Sequence, residues 1–341
     1  MMRANLRDIV GKVEEMIELQ PGDLVLDIGC NDGTLLSSYS TEGLVRLGID
    51  PSDAVEDIED EDVNVVRDFF TSATFAAAAD GRKAKVITSI AMFYDLESPR
   101  SFVADVAAAL DPEGVWVIEL SYLPFMLEAK SFDTICHEHQ EYYALRQLEW
   151  LFEESGMRIH RAEMNEVNGG SIRVFVRPAT AGDGPSEWEG ELKRLRDDEA
   201  ALRLDTDEPY SRFREAVTRT RRDLMDVLVR SIAAGKLVYI YGASTKGNVL
   251  LQYCGIDKWI APKAADRNPD KWGTRTLGTE ILIISEDQAR EEHPDYLLIL
   301  PWHFLEGFIE RESEFLARGG RFIVPLPELR VIGEGGRTID V

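Results

Sequence analysis

The stretch DIGCNDG at residues 27–33 constrains the fold of this chain more than any other feature. It overlaps the run Leu24–Ile28, which is apolar apart from Asp27, as expected of a strand buried on both faces of a parallel sheet. Gly29 and Gly33 let the backbone turn tightly and bring its N–H groups close to a ligand. A helix is predicted directly after this turn. A strand, a glycine turn and a helix, with an acidic residue near the end of the strand, indicate the entrance to a nucleotide-type pocket.

The turn differs from the dinucleotide-binding fingerprint G-x-G-x-x-G, because Asn31 stands at the second glycine position. Its pattern, acid-x-Gly-x-x-x-Gly, resembles motif I of class I S-adenosylmethionine (SAM) methyltransferases. The resemblance implies that the amino-acid end of SAM lies over the turn, which makes these residues candidate cofactor contacts: Asp27, Gly29, Cys30, Asn31 and Gly33. The alternative is a tight turn that binds nothing.

Length, charge and cysteine usage exclude several classes of protein. The 341 residues are enough for two domains, and the formal net charge of −24 repels nucleic-acid phosphates and anionic lipid. Nucleic acid and membrane surfaces are therefore poor candidate partners. The three cysteines lie far apart, which argues against a disulfide framework or a cysteine zinc site and predicts a cytoplasmic protein. The N-terminus reads as an amphipathic helix, and no run approaches the roughly 20 apolar residues that a membrane span needs.

The order of predicted elements indicates two α/β regions. Five strand–helix units come first, with strands at Leu24–Ile28, Val45–Ile49, Val63–Val66, Lys85–Ser89 and Val115–Leu120. A hairpin-like pair, Met157–Met164 and Ile172–Arg177, follows, which is the order of the class I methyltransferase sheet with its antiparallel last strand. A helix at Arg212–Ala234 precedes further strands at Leu237–Tyr241, Trp259–Ala265, Tyr296–Leu300 and Phe322–Val324. We predict a methyltransferase domain (1–180), a helical connector (181–235) and a smaller Rossmann-like substrate domain (236–341).

Polar residues follow the next strands of the first region. Asp50, with Pro51 beside it, lies about 20 residues past the turn, where a carboxylate can accept hydrogen bonds from two ribose hydroxyls. The alternative interpretation of Asp50 is an aspartate that stabilises a turn or caps a helix. Asp68 and Phe69 follow the third strand, where methyltransferases often have an acidic residue for the adenine amino group and an apolar one over the ring. Ser89 ends the fourth strand and completes the candidate cofactor set.

The segment FDTICHEHQEYY at residues 132–143 is the most unusual in composition. It holds two of the five histidines, three carboxylates and two phenols, and it follows the fifth strand at the edge where ligands bind in such sheets. A metal site would need a third ligand, and His-Glu-His lacks helical i, i+4 spacing, so we predict no metal. A plain polar loop is the second interpretation. General acid–base catalysis is favoured, because histidine titrates near neutral pH and an adjacent carboxylate can orient it.

The segments DIGCNDGTLL, FDTICHEHQEYY, NGGSIR and YGASTKGN, in this order, resemble the sugar C-methyltransferases that act on nucleotide-linked keto-deoxysugars. In that family the enzyme removes a proton from the carbon beside a ketone, and the resulting enolate attacks the SAM methyl group. The resemblance implies that His139 is the base, with Glu138 as its neighbour and His137 in the same group. Tyr142 and Tyr143 would line the sugar site. We assign the other histidines, including the one at position 303, to structure.

Two further segments supply candidate substrate contacts. The turn at residues 241–247 resembles the family's C-terminal motif near the nucleotide diphosphate, and its backbone N–H groups, its helix N-terminus and Lys246 would favour an anion. The alternative interpretation is a Rossmann-like turn that packs in the fold and binds no anion. The candidates here are Tyr241, Ala243, Ser244, Lys246 and Asn248. In the NGGSIR segment, Asn168, Ser171 and Arg173 would touch substrate or support the fold.

The sequence departs from this family in two places. Members usually carry an N-terminal cysteine-rich zinc-binding module, whereas this sequence begins at the methyltransferase motifs. Either a separate zinc-binding chain is therefore expected to supply this module, which helps to cover the sugar site, or the substrate differs. A homo-oligomer is the other candidate assembly. The loop after the fourth strand often has a histidine where this chain reads MFYD, and Tyr94 is expected to take that polar position.

Together these patterns predict a SAM-dependent C-methyltransferase for a nucleotide-linked keto-sugar or a similar anionic keto compound. One alternative is an O-methyltransferase on a sugar or small molecule, in which the same base deprotonates a hydroxyl. Another is a non-catalytic subunit that binds a nucleotide sugar. A nicotinamide-dependent oxidoreductase is less favoured, because Asn31 interrupts the fingerprint of the first turn.

Overall fold

A computed structural model of the chain describes residues 2–181 and 188–339, with Asn168 described by its backbone alone. The chain forms two compact units. The first consists of Met1–Leu123 and Gln140–Leu202, and the second of Pro124–His139 and Arg203–Val341. The segment that carries His139 therefore belongs to the second unit, and the predicted helical connector is divided between the two. The domain limits 1–180, 181–235 and 236–341 stay a prediction.

The first unit contains a seven-stranded sheet in the order β3-β2-β1-β4-β5-β7-β6. Its strands are β1 (Leu24–Ile28), β2 (Val45–Ile49), β3 (Val63–Val66), β4 (Ala84–Ile90), β5 (Leu110–Ser121), β6 (Met157–Asn165) and β7 (Ser171–Pro178). Strands β1 to β5 run parallel, while β7 is antiparallel to both β5 and β6. The predicted class I sheet with an antiparallel end is confirmed.

The second unit contains another seven-stranded sheet, in the order β10-β9-β8-β11-β12-β13-β14. Its strands are β8 (Val238–Tyr241), β9 (Lys263–Asp266), β10 (Leu282–Ser285), β11 (Tyr296–Ile299), β12 (Arg321–Val324), β13 (Arg330–Ile332) and β14 (Thr338–Ile339). The first five are parallel, and the last two are antiparallel. The predicted strand at Trp259–Ala265 begins too early, because Trp259 is 81% exposed and Pro262 lacks the N–H of a ladder residue.

Helices flank both sheets. They are α1 (Met2–Met16), α2 (Ser72–Ala78), α3 (Pro99–Ala109), α4 (Leu123–Glu128), α5 (Leu145–Glu153), α6 (Glu189–Leu202), α7 (Glu208–Ala233), α8 (Thr245–Cys254), α9 (Glu286–Glu291), α10 (Leu305–Arg311) and α11 (Ser313–Ala317). The helix α1 buries Ile9, Val10 and Val13 in a core with Val25 and Val117 of the first sheet. Within the described residues, no helix combines the length and apolar character that crossing a membrane requires.

The helix predicted directly after the first glycine turn is wrong. Only Leu36–Ser38 is helical there, as a single 3-10 turn. The Ser38 hydroxyl donates to the Thr34 carbonyl at 2.6 Å, and hydroxyl side chains that bond nearby backbone in this way compete with a regular helix. The turn at residues 27–33 is therefore followed by irregular chain around one short 3-10 turn.

The buried carboxylate of Glu199 accepts hydrogen bonds from residues at the end of β5 and at the start of α5. Tyr122 and Tyr143 pair as an isolated parallel bridge. Glu199 on α6 is 7% exposed and accepts hydrogen bonds from the Tyr122 hydroxyl at 2.5 Å and the Leu145 N–H at 2.5 Å. Ala144, which precedes α5, has no side-chain oxygen, so Glu199 satisfies the first turn of that helix from a neighbouring helix.

A buried ion pair holds α1 against the first sheet. Arg173 on β7 is 1% exposed, and its Nε donates to Glu119 on β5 at 2.7 Å. Its other nitrogens donate to Asp8 at 2.7 Å and to the Asn5 side chain at 2.8 Å. The expectation that Arg173 contacts substrate is corrected by this burial, since its guanidinium is committed to α1 and β5.

Candidate functional site

The glycine turn of the first unit is tied to the end of β2. Gly29 has φ +76°, a conformation that side-chain-bearing residues rarely adopt, and its N–H donates to the Ile49 carbonyl at 2.8 Å. Asn31 has φ +50°, and its N–H donates to Asp50 Oδ2 at 2.9 Å. The two candidate cofactor motifs, the turn and the acid at the tip of β2, are thus brought together.

Asp50 is held as a carboxylate at this edge. Its Oδ1 accepts from the Ser52 N–H at 2.8 Å and from the Ser52 hydroxyl at 2.6 Å. Burial alone would raise the pKa of Asp50, but the hydrogen bonds from Ser52 and from the Asn31 N–H lower it below its usual value. Unused lone pairs on an ionised carboxylate can accept hydrogen bonds from hydroxyl groups, as a vicinal diol would require.

The end of β3 presents an uncovered aromatic ring. Phe69 is 72% exposed, Asp68 beside it is exposed, and Asp68 Oδ1 accepts the Phe69 N–H at 2.7 Å. Pro51 after β2 is also exposed. An exposed ring next to a carboxylate provides a flat apolar surface with a hydrogen-bond acceptor at its margin, which suits an adenine base.

Asp27 is a buried acid that forms no ion pair with the described residues. Burial raises the pKa of Asp27 to about 7, and the charge of Asp50 adds to this effect, while the hydrogen bond from the Thr88 hydroxyl at 2.5 Å opposes it. A positively charged ligand would reverse this balance by stabilising the carboxylate. Asp27 and Asp50 together therefore fit a cofactor that carries positive charge and hydroxyl groups, as SAM does.

Asp27→Asn should stabilise the protein without cofactor while weakening SAM binding. Because the pKa of Asp27 is raised from 3.8 to about 7 by folding, the unfolded chain releases this proton first, and stability falls as the pH rises between these values. An amide cannot ionise, so the melting temperature of the variant should exceed that of the wild type by more at pH 8 than at pH 5. Calorimetry should show SAM affinity reduced at least about tenfold.

Asp32→Asn is the matched control, because Asp32 lies in the same turn but is exposed. It should shift neither the melting temperature nor the SAM affinity appreciably. A variant at position 27 that is less stable than the wild type at pH 8 would contradict the assignment of a buried, unfavourable charge.

Two predicted cofactor residues point into the interior. Ser89 is fully buried, and its hydroxyl accepts from Trp116 Nε1 at 3.1 Å, so its side chain does not face the ligand edge. Cys30 is buried, and its Sγ lies against Gly48. A Cβ added to Gly48 would lie only 2.6 Å from that sulfur. Ser89 is corrected to a core residue, and Cys30 offers the turn only its backbone.

The segment with the histidine pair packs within the second unit. Residues 132–134 form a 3-10 turn against α8, where Phe132 joins a core that includes Leu250 and contacts Tyr253 with 5.1 Å between ring centroids. This anchored turn precedes residues 137–139, of which His137 and Glu138 are exposed and 3.4 Å apart. His139 is half-buried. A rigid turn therefore leads directly into the predicted catalytic residues.

His139 has the properties of a neutral base. Burial lowers the pKa of His139 below 6.5, and the Lys246 charge lowers it further, while a hydrogen bond with the Thr134 backbone and the Glu138 charge oppose them. Because that hydrogen bond raises the pKa, the imidazole must donate it and the Thr134 carbonyl must accept it. A neutral imidazole that donates through one ring nitrogen has an acceptor at the other.

The predicted tyrosines belong to the first unit. The Tyr94 carbonyl accepts the N–H groups of Gln140 at 2.8 Å and Glu141 at 3.1 Å, which holds the returning chain on the loop after β4. Tyr142 is half-buried, as is Tyr94. Tyr143 is buried against Phe93 and lines a cavity of about 540 Å³ between α3 and α5. Its hydroxyl is buried and has no hydrogen-bond partner among the residues that the structure describes.

The second glycine turn does open a helix, as predicted. Ser244 caps α8 by accepting the Gly247 N–H at 3.0 Å, and the Ala243 N–H donates to Asp266 at 2.8 Å. Tyr241 is corrected to a core residue, since it is 3% exposed and its hydroxyl donates to Glu312 at 2.8 Å. Lys246 is partly buried in the first turn of α8, and Asn248 Oδ1 is buried there with no hydrogen-bond partner in the described part of the chain.

The NGGSIR segment provides fewer candidate substrate contacts than the sequence predicted. Ser171 is 2% exposed, and its hydroxyl donates to the Val167 carbonyl at 2.8 Å, so it supports the hairpin between β6 and β7. The side chain of Asn168 lies outside the described part of the structure. Across residues 2–181 and 188–339, no group of three or more His, Cys, Asp or Glu side chains is arranged to hold a metal ion.

Sequence reasoning missed the contact between Asp133 and Trp302, which lie far apart in the sequence. Asp133 accepts a hydrogen bond from Trp302 Nε1 at 3.1 Å, and Asp133 and His303 both interact electrostatically with Lys246. Burial, aided by the Lys246 charge, lowers the pKa of His303 to about 4. The segment PWHF follows β11 at the same edge of the sheet as the turn after β8, which is a signal that could have suggested this proximity.

Comparison with known proteins gives consistent results for both halves of the chain. Residues 2–162 match a methyltransferase domain family, and residues 166–327 match the C-methyltransferase C-terminal domain family. The C-methyltransferase NovU of Streptomyces niveus is 33% identical over 330 residues, which cover 96% of this chain and 78% of NovU.

Solved structures resemble about half of the chain. The magnesium protoporphyrin IX methyltransferase ChlM of Synechocystis PCC 6803, with S-adenosylhomocysteine bound, is 16% identical and covers 52% of this chain and 83% of ChlM, with a TM-score of 0.41. A SAM-dependent methyltransferase of Clostridium acetobutylicum is 13% identical, also with a TM-score of 0.41. The similar region covers 53% of this chain and 92% of that protein's chain. These structural similarities are too distant to bear on function.

Proposed function

Since this chain belongs to the C-methyltransferase family, we propose that it methylates a carbon beside the ketone of a nucleotide-linked sugar or a similar anionic keto compound. Its cofactor is SAM, which supplies an electrophilic methyl group when bound. The observation that carries the proposal is the half-buried imidazole of His139, whose pKa burial lowers below its usual value. A carbon beside a ketone is a weak acid, so a base with these properties is the first requirement of the reaction.

We propose that residues of the first unit hold the cofactor. Asp50, tied to the turn through Asn31, would accept hydrogen bonds from the ribose hydroxyls. The exposed ring of Phe69 would cover the adenine, with Asp68 accepting from its amino group. Asp27 would face the positively charged amino-acid end. The roles follow from the charge or aromatic character of these side chains and from their places near the carboxyl ends of β1, β2 and β3.

In the proposed reaction His139 removes the proton and Glu138 is its neighbour, with Tyr94, Tyr142 and Tyr143 belonging to the acceptor site. The half of the chain from residue 236 would bind the nucleotide part of the acceptor. We also propose a cytoplasmic location, which the three free cysteines support, and a second copy or a zinc-binding chain as a partner.

Product analysis tests this function. The enzyme would be incubated with SAM carrying a ¹³C-labelled methyl group and a thymidine-diphosphate-linked keto-deoxyhexose, and the product would be examined by proton–carbon NMR. We expect the label on carbon, adjacent to the ketone. A label on oxygen would support an O-methyltransferase instead, and failure to bind SAM in calorimetry would support a non-catalytic binding subunit.

A further inference from the structure

The hydroxyl of Thr88 lies within hydrogen-bond distance of two acceptors on β1. Asp27 on β1 and Thr88 on β4 are partners in the register of two parallel strands, so their side chains stand on the same face of the sheet. Thr88 Oγ1 is 2.5 Å from Asp27 Oδ1 and 3.3 Å from the Leu26 carbonyl oxygen. Thr88 is fully buried and Asp27 is 4% exposed, so both contacts are shielded from solvent.

A single hydroxyl proton cannot serve both acceptors at once. A threonine hydroxyl carries one proton to donate and two lone pairs that can accept. When Asp27 is ionised, Thr88 must donate to it, because a carboxylate only accepts, and 2.5 Å is a usual length for such a charge-assisted bond. When Asp27 is protonated, its own O–H can donate to Thr88 Oγ1. The threonine proton is then available to the Leu26 carbonyl, its longer contact.

The surroundings of Asp27 give it a reason to change its protonation state when the cofactor binds. Asp27 forms no ion pair with the described residues, and Asp50 at the end of the neighbouring strand β2 carries a like charge. An unpaired carboxylate is unfavourable in a buried place, and burial accordingly raises the pKa of Asp27 to about 7. The ammonium group of SAM would supply the missing cation and favour the carboxylate.

We propose that Thr88 is a positioning residue for SAM binding, whose hydroxyl turns from the Leu26 carbonyl to Asp27 as that carboxyl loses its proton. In this step the Asp27 O–H bond breaks, its electron pair stays on the carboxylate, and the proton passes to water. The carboxylate then accepts the Thr88 proton and faces the ammonium of the cofactor. One hydroxyl therefore keeps Asp27 hydrogen-bonded in both states. The inference rests on the proposed placement of Asp27 at the amino-acid end of SAM.

Ionisable groups near Asp27 keep one protonation state between pH 5.5 and 7. Asp50 stays ionised, because hydrogen bonds lower its pKa. The Cys30 thiol of the glycine turn and the Tyr39 phenol before β2 stay neutral, because burial and the charge of Asp27 raise the pKa of both groups. Free SAM keeps its α-amino group protonated in this range, since such a group titrates at about pH 8. A proton released on binding is therefore expected to come from Asp27.

Calorimetry of SAM binding counts this proton. Titrations at each pH are repeated in buffers of different ionisation enthalpy, and the dependence of the heat on the buffer gives the number of protons released. Because burial raises the pKa of Asp27 to about 7, we expect release of about one proton per SAM at pH 6 and about half a proton at pH 7. The affinity should be about fivefold weaker at pH 6 than at pH 7, since less of the protein is ionised at Asp27. Asp27→Asn should release no proton.

Variants at position 88 separate positioning from packing. Thr88→Val keeps the shape of the side chain but removes the hydrogen bond that lowers the pKa of Asp27. SAM affinity at pH 7 should therefore fall at least about fivefold, and proton release at this pH should rise from about half to about one. Thr88→Ser, which keeps the hydroxyl, should retain wild-type values of both. Ser89→Ala is the matched control on the same strand: it leaves Trp116 Nε1 without its acceptor and should lower the melting temperature, but not change the proton release.

The outcomes separate this inference from the proposed function. A wild-type enzyme that binds SAM without releasing a proton overturns the inference and leaves the cofactor in place, as does proton release that persists in Asp27→Asn. Wild-type affinity and proton release in Thr88→Val, with circular dichroism showing an intact fold, mean that the hydroxyl only packs. If that variant does not fold, the proton release of the wild type and of Asp27→Asn still decides. Failure of the wild type to bind SAM overturns the proposed function, and the inference with it.

Discussion

Replacing His139 by asparagine should abolish methyl transfer while leaving SAM affinity within a few fold of the wild type. The expected loss is about 10²–10⁴-fold, the usual contribution of a general base. The proposed cofactor residues Asp27, Asp50 and Asp68 belong to the other compact unit, so their contacts should persist. Methyl transfer from labelled SAM measures the first effect, and calorimetry measures the second. Because the pKa of His139 is lowered from 6.5, wild-type kcat/KM should stay high until the pH falls below that value.

His293→Asn is the matched control for this variant. His293 is exposed and has φ +51°, a conformation that asparagine tolerates well, so the substitution should leave turnover and stability unchanged. If the His139→Asn variant keeps a turnover close to that of the wild type, His139 is not the base. An acid limb above pH 6.5 in the wild type would also contradict the electrostatic environment described for its ring.

Replacing Arg173 by leucine should destabilise the protein by about 3–5 kcal/mol, the effect of breaking a buried ion pair by removing one partner. The substitution leaves Glu119, which is 3% exposed, without the guanidinium at 2.7 Å. It also releases Asp8 and Asn5 on α1. Urea unfolding at neutral pH measures the free energy of unfolding, which should fall by this amount.

Two further variants make this result decisive. Combining the change with Glu119→Gln removes the orphaned charge, so the double variant should regain part of the lost stability. Arg194→Leu breaks an exposed pair with Glu191 and should cost less than about 1 kcal/mol. If the Arg173 variant keeps its stability but loses affinity for the acceptor, the original expectation of a substrate contact is right and the structural role is wrong.

The sequence predicted the parallel framework well, because buried strands leave a signal that survives without tertiary information. The predicted bounds of β1, β2 and β3 agree with the structure, since each is a short, mainly apolar run that a glycine, an acid or an arginine follows directly. The helix after the first turn was wrong, because the hydroxyl side chains there bond nearby backbone. Short strands such as β10 and β13 were missed, since three or four apolar residues do not stand out from loops.

Site residues were harder to predict than site regions. The motifs led to the carboxyl edge of the sheet, but successive side chains on a strand point to opposite faces, and position alone does not say which one reaches the ligand. Thr88 bonds Asp27, whereas its neighbour Ser89 bonds Trp116 in the core. Tyr241 faces inward for the same reason. The proximity of Asp133 to Trp302 depends on the tertiary fold and could not be inferred from spacing.

The path of the backbone between the compact units limits how this protein can be divided. The chain passes from one unit to the other after residues 123, 139 and 202, so neither unit is a continuous piece of sequence. A gene fragment that begins at residue 203 would encode a second unit without Phe132, and the apolar surface of α8 beneath that ring would be open to water. Such a fragment should aggregate on expression, whereas supplying residues 124–139 as a fused peptide should restore a soluble product.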